Sequence, residues 1–118
     1  RDPKAPVVIS GWLFKQGSDG LQLWKKRWFA LSQYCLFYYD GPEEEKVLGS
    51  LLLPGYTIRP CLAGDRDRLV YRKYAFKAEH RNTRSFYLAA DSRPSMIQWM
   101  NALSLAAILQ DSKSLSIT

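Results

Sequence analysis

From residue 7 to residue 90 the chain alternates short apolar, β-branched and aromatic runs with breaks rich in Gly, Pro and Asn. From Pro94 the rhythm changes to one of three and four. Residues 7–16 (VVISGWLFKQ) predict a strand. Residues 24–32 (WKKRWFALS) and 35–40 (CLFYYD) predict a hairpin across Gln33 and Tyr34. Two shorter strands, 47–53 and 56–60, are split by Pro54–Gly55. A second hairpin, 72–80 with 84–90, turns at Arg81–Asn82–Thr83. Residues 17–23 and 61–70 read as loops, and 41–46 (GPEEEK) as an acidic one. Ile97, Met100, Leu103, Ala107 and Leu109 recur near helical spacing. Asp91 or Ser92 can cap that helix, and Pro94 falls in its first turn, where a missing N–H costs little. The pattern therefore predicts a helix over 93–109.

About seven strands followed by one terminal helix is a mainly β arrangement. A helix placed last can plug one open end of a strongly bent sheet. An oligonucleotide-binding barrel would have fewer strands and its helix in mid-chain. A length of 118 residues suits one domain with one core. We place that domain at 7–110, between a linker over 1–6 with two prolines and a polar tail over 111–118.

Composition narrows the class. A hydrophobic fraction of 47% is that of a globular protein and argues against disorder. Aromatic residues make up 14%, so large rings belong in the core, and Trp99 on the helix is read as wedged against the sheet. Trp12 and Trp28 alternate away from the basic row described below and read as packing residues. The formal net charge of +6 favours anionic partners: phosphoinositides, acidic membrane, nucleic acid or acidic peptides. Cys35 and Cys61 belong to no CxxC or Cys/His cluster, which argues against zinc, and no cofactor is expected. A reducing, cytoplasmic setting fits free thiols. No signal peptide or long apolar span is legible, so any membrane visit is expected to be peripheral. The chain begins at Arg1 rather than Met and reads as a piece of a longer protein. Catalysis finds no support: His80 is the single histidine, with no nucleophile, P-loop or carboxylate pair placed beside it.

Side chains alternate along a strand. In the first strand Leu13 and Lys15 share a face; in the second, Leu31, Phe29, Arg27 and Lys25 share one. A tight turn at 33–34 sets Leu31 opposite Leu36 and Phe29 opposite Tyr38. The inward row is then apolar at one end and cationic at the other. Lys15 and Lys25 as cross-strand neighbours would repel, and partial enclosure adds a desolvation cost. A phosphate group, with about −1.5 to −2 charge and three acceptor oxygens, offsets both. Arg27 offers a planar fork, the two lysines point charges, and the Tyr38 hydroxyl one more donor. Gly17 and Gly20 let backbone N–H groups approach such a ligand.

The ordered set GWLFKQG, LWKKRWFAL, CLFYY, VLGSLLL, FYLAADS and the helical Trp99 resembles a pleckstrin homology (PH) domain over roughly residues 8–109. It looks most similar to the phosphoinositol-3-phosphate-binding (PEPP-type) group, the PH domain-containing family A. The resemblance implies a barrel of two near-orthogonal antiparallel sheets closed by the C-terminal helix. It also implies a membrane-targeting module that recognises a 3-phosphorylated inositol headgroup, monomeric when isolated. By that likeness Lys15 and Arg27 grip the 3-phosphate region, and Lys25 and Tyr38 line the same pocket. Gln16, Lys26 and Arg81 are secondary contacts, and Leu21 and Leu23 a membrane-inserting tip. Gln22 stands where close relatives often carry a basic residue, Leu48 near where some tight trisphosphate binders do, and the 80–84 turn is short, which favours a monophosphate or modest promiscuity over trisphosphate specialisation.

Plainer readings exist for each feature. Asp40 could neutralise Arg27, one of Leu21 and Leu23 could pack beneath Trp24, and Arg81, Arg84 and His80, placed to flank the mouth, could instead be an ordinary charged turn. Glu43–Glu45 read as a solvated loop that discourages anions on that side. The alternative function is a protein–protein module that binds peptide on a helix or strand edge. Nucleic-acid binding would require stacking aromatics on the basic face, where only Tyr38 stands.

Overall fold

The computed structural model describes residues 7–17, 23–62 and 72–117. Seven strands precede one helix: β1 (Val7–Gln16), β2 (Trp24–Ser32), β3 (Cys35–Tyr39), β4 (Gly49–Leu52), β5 (Thr57–Pro60), β6 (Ala75–His80), β7 (Thr83–Ala89) and α1 (Arg93–Ile117). All are antiparallel to their neighbours, in the order β4-β3-β2-β1-β7-β6-β5. Hydrogen bonding thus runs through a single sheet. The two expected halves meet at β1 and β7 through only two register pairs, Phe14↔Ala89 and Lys15↔Leu88. The strands at the two ends of that order, β4 and β5, are joined by residues 53–56 alone. A link that short holds both edges close together, so the sheet must roll up. Gly55 makes the link feasible. Its φ of 91° suits glycine, and a Cβ there would come within 2.8 Å of the His80 imidazole.

The inner surface carries the core. Leu13, Phe29, Leu31, Leu36, Leu53, Phe76 and Leu88 pack against Trp99, Leu103, Ala106 and Ala107 of α1. Each large side chain so buried contributes about 1.5–3 kcal/mol. Trp99 is wedged as expected, 2% exposed, and a Cβ added at Gly11 would lie 3.7 Å from its ring. Ser92 is the cap: its hydroxyl accepts the Ser95 N–H at 3.3 Å and its carbonyl the Met96 N–H at 3.0 Å.

Two expectations need correction. The helix does not stop at 109 but runs to Ile117, through the segment expected as a tail. No Gly or Pro follows Pro94 to end it. Ile97 is exposed, because the inward stripe falls on Met96, Trp99, Met100, Leu103, Ala106 and Ala107. Trp12 and Trp28 pack as expected, away from the basic row. They meet edge to face on the outer surface, ring centres 5.4 Å apart, with Trp12 40% exposed. Residues 1–6, Gly20, Leu21, Gln22 and most of the 61–70 loop lie outside the described residues.

Candidate functional site

Four neighbouring strands run out of the core in the same way. On β2 the inward row is Leu31, Phe29, Arg27, Lys25; on β1 it is Leu13, Lys15, with Leu13 opposite Arg27 and Lys15 opposite Lys25. On β3, Leu36 and Tyr38 face Leu31 and Phe29, the register expected from a tight turn. On β7 the row is Leu88, Phe86, Arg84, and Leu88 lies opposite Lys15. Each row starts apolar and ends polar, so the open end of the rolled sheet is ringed by cations.

Lys15 sits deepest. Its ammonium lies 5.5 Å from the Tyr38 ring centre and 5.7 Å from that of Phe86. Partial burial, reinforced by Arg84 and Arg27, holds its pKa below the ordinary lysine value. Two aromatic faces replace part of its hydration but supply no neutralising charge. Arg84 also lies over Phe86, its guanidinium carbon 5.2 Å from the ring centre.

Arg27 is partnered. One guanidinium nitrogen is 3.3 Å from Asp40 Oδ1 and donates to the Lys26 carbonyl at 3.1 Å. Asp40 is 63% exposed, so the pair is worth no more than about 1 kcal/mol. Tyr38 stacks at 5.3 Å on Phe29 and lies across Gly49 of β4. A Cβ on Gly49 would fall 2.5 Å from the Tyr38 ring and hydroxyl, so glycine there is what lets the ring lie in the mouth.

The structure brings Lys15, Lys25, Arg27 and Tyr38 onto one inner face, with Lys25 exposed. Gln16 and Lys26 are not with them. Alternation turns both to the outer surface, where Gln16 is buried and the Lys26 ammonium stands 4.9 Å from the Trp12 ring centre. Leu23 is 54% exposed, at the neck of the β1–β2 loop, where its carbonyl accepts the Gly17 N–H at 2.8 Å. Arg81 is exposed on the β6–β7 turn and lines a groove with Thr57, Arg59 and Glu79, away from the Lys15 row. Glu79 there accepts from Arg59 at 2.8 Å and from Lys77 at 3.2 Å, and those two cations hold its carboxyl below the usual range.

Arg84 and Phe86 are the additions to the mouth. Arg84 was expected, with Arg81 and His80, either to flank the mouth or to form an ordinary charged turn, and Phe86 was not singled out. Their signal was the same apolar-to-cationic row read backwards along the seventh strand.

Residues 7–107 match the family model of the PH domain. The chain is 51% identical over 110 residues to pleckstrin homology domain-containing family A member 7 of Danio rerio, covering 93% of this chain and 9% of that protein. Member 5 of Homo sapiens matches at the same identity and length, over 10% of its own length. The chain therefore spans about a tenth of the curated relatives it matches. The solution structure of the human member 5 PH domain superposes with a TM-score of 0.78 at 51% identity, over 92% of this chain and 82% of that one. The C-terminal PH domain of pleckstrin, in complex with D-myo-Ins(1,2,3,5,6)P5, superposes with a TM-score of 0.74 over 87% of this chain and 97% of that one. Its identity of 24% makes that a likeness of fold. A rolled seven-stranded sheet closed by a C-terminal helix, a family match across nearly all of it and half-identical relatives agree: the chain belongs to the PH domain family.

Proposed function

We propose that this PH domain is a phosphoinositide-binding, membrane-targeting module of a larger cytoplasmic protein, and that its mouth takes a 3-phosphorylated inositol headgroup. The observation that carries this reading is Lys15. A partly dehydrated ammonium between two rings, opposite Lys25 and crowded by Arg27 and Arg84, is a site that a multiply charged anion relieves. Arg27 is poised to exchange the single exposed carboxylate of Asp40 for a phosphate, which offers more charge and a bidentate acceptor. The Tyr38 hydroxyl adds a donor on the same side. Pleckstrin's complex with an inositol pentakisphosphate supports the chemistry by analogy of fold. The 3-phosphate preference rests on the likeness of Lys15 with Lys25 and Arg27 to the basic signature of PH domains that recognise a 3-phosphate. Among the described residues no helix is long and apolar enough to cross a membrane.

The test is sedimentation with vesicles of defined composition at physiological salt. Vesicles carrying phosphatidylinositol 3-phosphate should pull down the 118-residue chain more strongly than vesicles of equal charge made with phosphatidylserine. Arg27→Ala should abolish that difference while the thermal midpoint stays within a few degrees. Equal binding by both proteins, or to both vesicles, overturns the reading.

A further inference from the structure

The outer surface of the sheet holds a second recess, of opposite charge. Trp28 and Tyr39, Cα partners on β2 and β3, form its floor; Val47 and the run Glu43, Glu44 and Glu45 form its wall, enclosing about 430 Å³. Alternation sets Trp28 back to back with Arg27 and Tyr39 with Tyr38, so this recess and the mouth open on opposite faces of the same two strands. Tyr39 is buried and Trp28 half-buried, which fixes the floor, while the three glutamates are exposed. Among the described residues no Lys or Arg lies within ion-pair distance of them. Lys46 follows them in sequence, yet the loop keeps a net negative charge in a chain whose total is +6.

The chemistry of that lining selects its occupant. An anionic headgroup is repelled. A metal ion is not provided for, since no three acidic, His or Cys side chains among the described residues converge to hold one. An organic cation suits both parts: its charge is met by carboxylates and its flat or methylene portion by the Trp28 and Tyr39 rings. The neighbouring Lys26 ammonium, 4.9 Å from the ring centre of Trp12, is an instance of that contact on the same surface. The volume holds one long side chain rather than a folded element. We propose that this recess docks an arginine or lysine side chain presented by an extended basic segment of a partner protein, leaving the mouth free. A basic peptide is repelled by the cationic mouth and drawn to the acidic wall, so charge sorts the two ligand classes onto two faces.

The 15N-labelled chain is titrated with the peptide acetyl-Ala-Val-Arg-Val-Arg-Ala-amide and with its counterpart in which both arginines are glutamates. The arginine peptide should shift the Trp28 indole, Tyr39 and Glu43–Glu45 resonances in a saturable way, leaving Lys15 and Arg27 in place, and the glutamate peptide should not. E43Q/E44Q/E45Q should keep a dispersed spectrum and weaken the arginine peptide about tenfold. Vesicle binding should not fall in that variant, which separates this proposal from the fate of the headgroup reading. Silence at this face under millimolar arginine peptide, shifts confined to other surfaces, equal binding of the glutamate peptide, or an unweakened triple variant each overturns the proposal.

Discussion

Gly49 shows how closely the mouth is fitted around one ring. A single added methyl there collides with Tyr38 at 2.5 Å, and the ring cannot retreat inward because Phe29 stacks behind it. Gly49→Ala should therefore cost about 1–3 kcal/mol in chemical denaturation. It should also weaken headgroup binding, because Tyr38 is one of the two rings flanking Lys15. Lys15 carries a second prediction. Its folded pKa is lowered, first by burial and then by Arg84 and Arg27, so the unfolded chain holds the proton more tightly. Stability then rises with pH from the lowered folded value towards the ordinary lysine value of 10.5. An anion in the mouth reverses the preference and draws the proton back. Headgroup affinity should fall as pH climbs through the lowered Lys15 pKa, and Lys15→Arg should flatten that fall in calorimetric titrations. The inward placement of Lys15, Lys25 and Arg27 was legible from alternation alone. The Arg27–Asp40 pair was legible as an option, since the hairpin register brings their strand ends together.

At the scale of elements, strands were easier to read than surfaces. β1 and β2 follow the predicted bounds residue for residue, because β-branched and aromatic runs end at clear breaks. Which face of a strand is buried was harder. Trp12 and Trp28, read as packing residues turned away from the basic row, do pack, but against each other on the outer surface, because the inner one is already filled. Gln16, expected as a secondary contact, is a buried polar side chain at the end of β1. Phe86 was missed, and Arg84 was named only beside its turn, because β1 and β7 are neighbours in space but remote in sequence, so the row on the seventh strand had no visible partner. The β1–β2 loop gives a prediction at this scale. Its neck is closed by the Gly17–Leu23 hydrogen bond, which presents the exposed Leu23 beside the mouth. Leu23→Glu should reduce binding to headgroup-bearing vesicles several-fold, since each CH₂ withdrawn from the bilayer forfeits about 0.8 kcal/mol. Binding of a soluble inositol phosphate should stay unchanged, because the substitution touches the membrane and not the pocket.

For the molecule as a whole, the order of strands decides what the ligand does to the fold. Most of the sheet is zipped by four or more register pairs between neighbours, but β1 and β7 share two, and Lys15 is a member of one of them. This is the least tightly laced line in the sheet, and the rows that converge above it come from both sides: Arg27 from β2 on one, Arg84 from β7 on the other. An anion gripped by both would act as a rivet across the join. Amide hydrogen exchange around Phe14, Lys15, Leu88 and Ala89 should therefore be fast for that sheet in the free chain and slow sharply with inositol phosphate, more than in the β2–β3 hairpin. Recruitment and cohesion would then be one event: the domain would be hardest to pry open only while it holds its cargo, and release from the bilayer would loosen it along the same line.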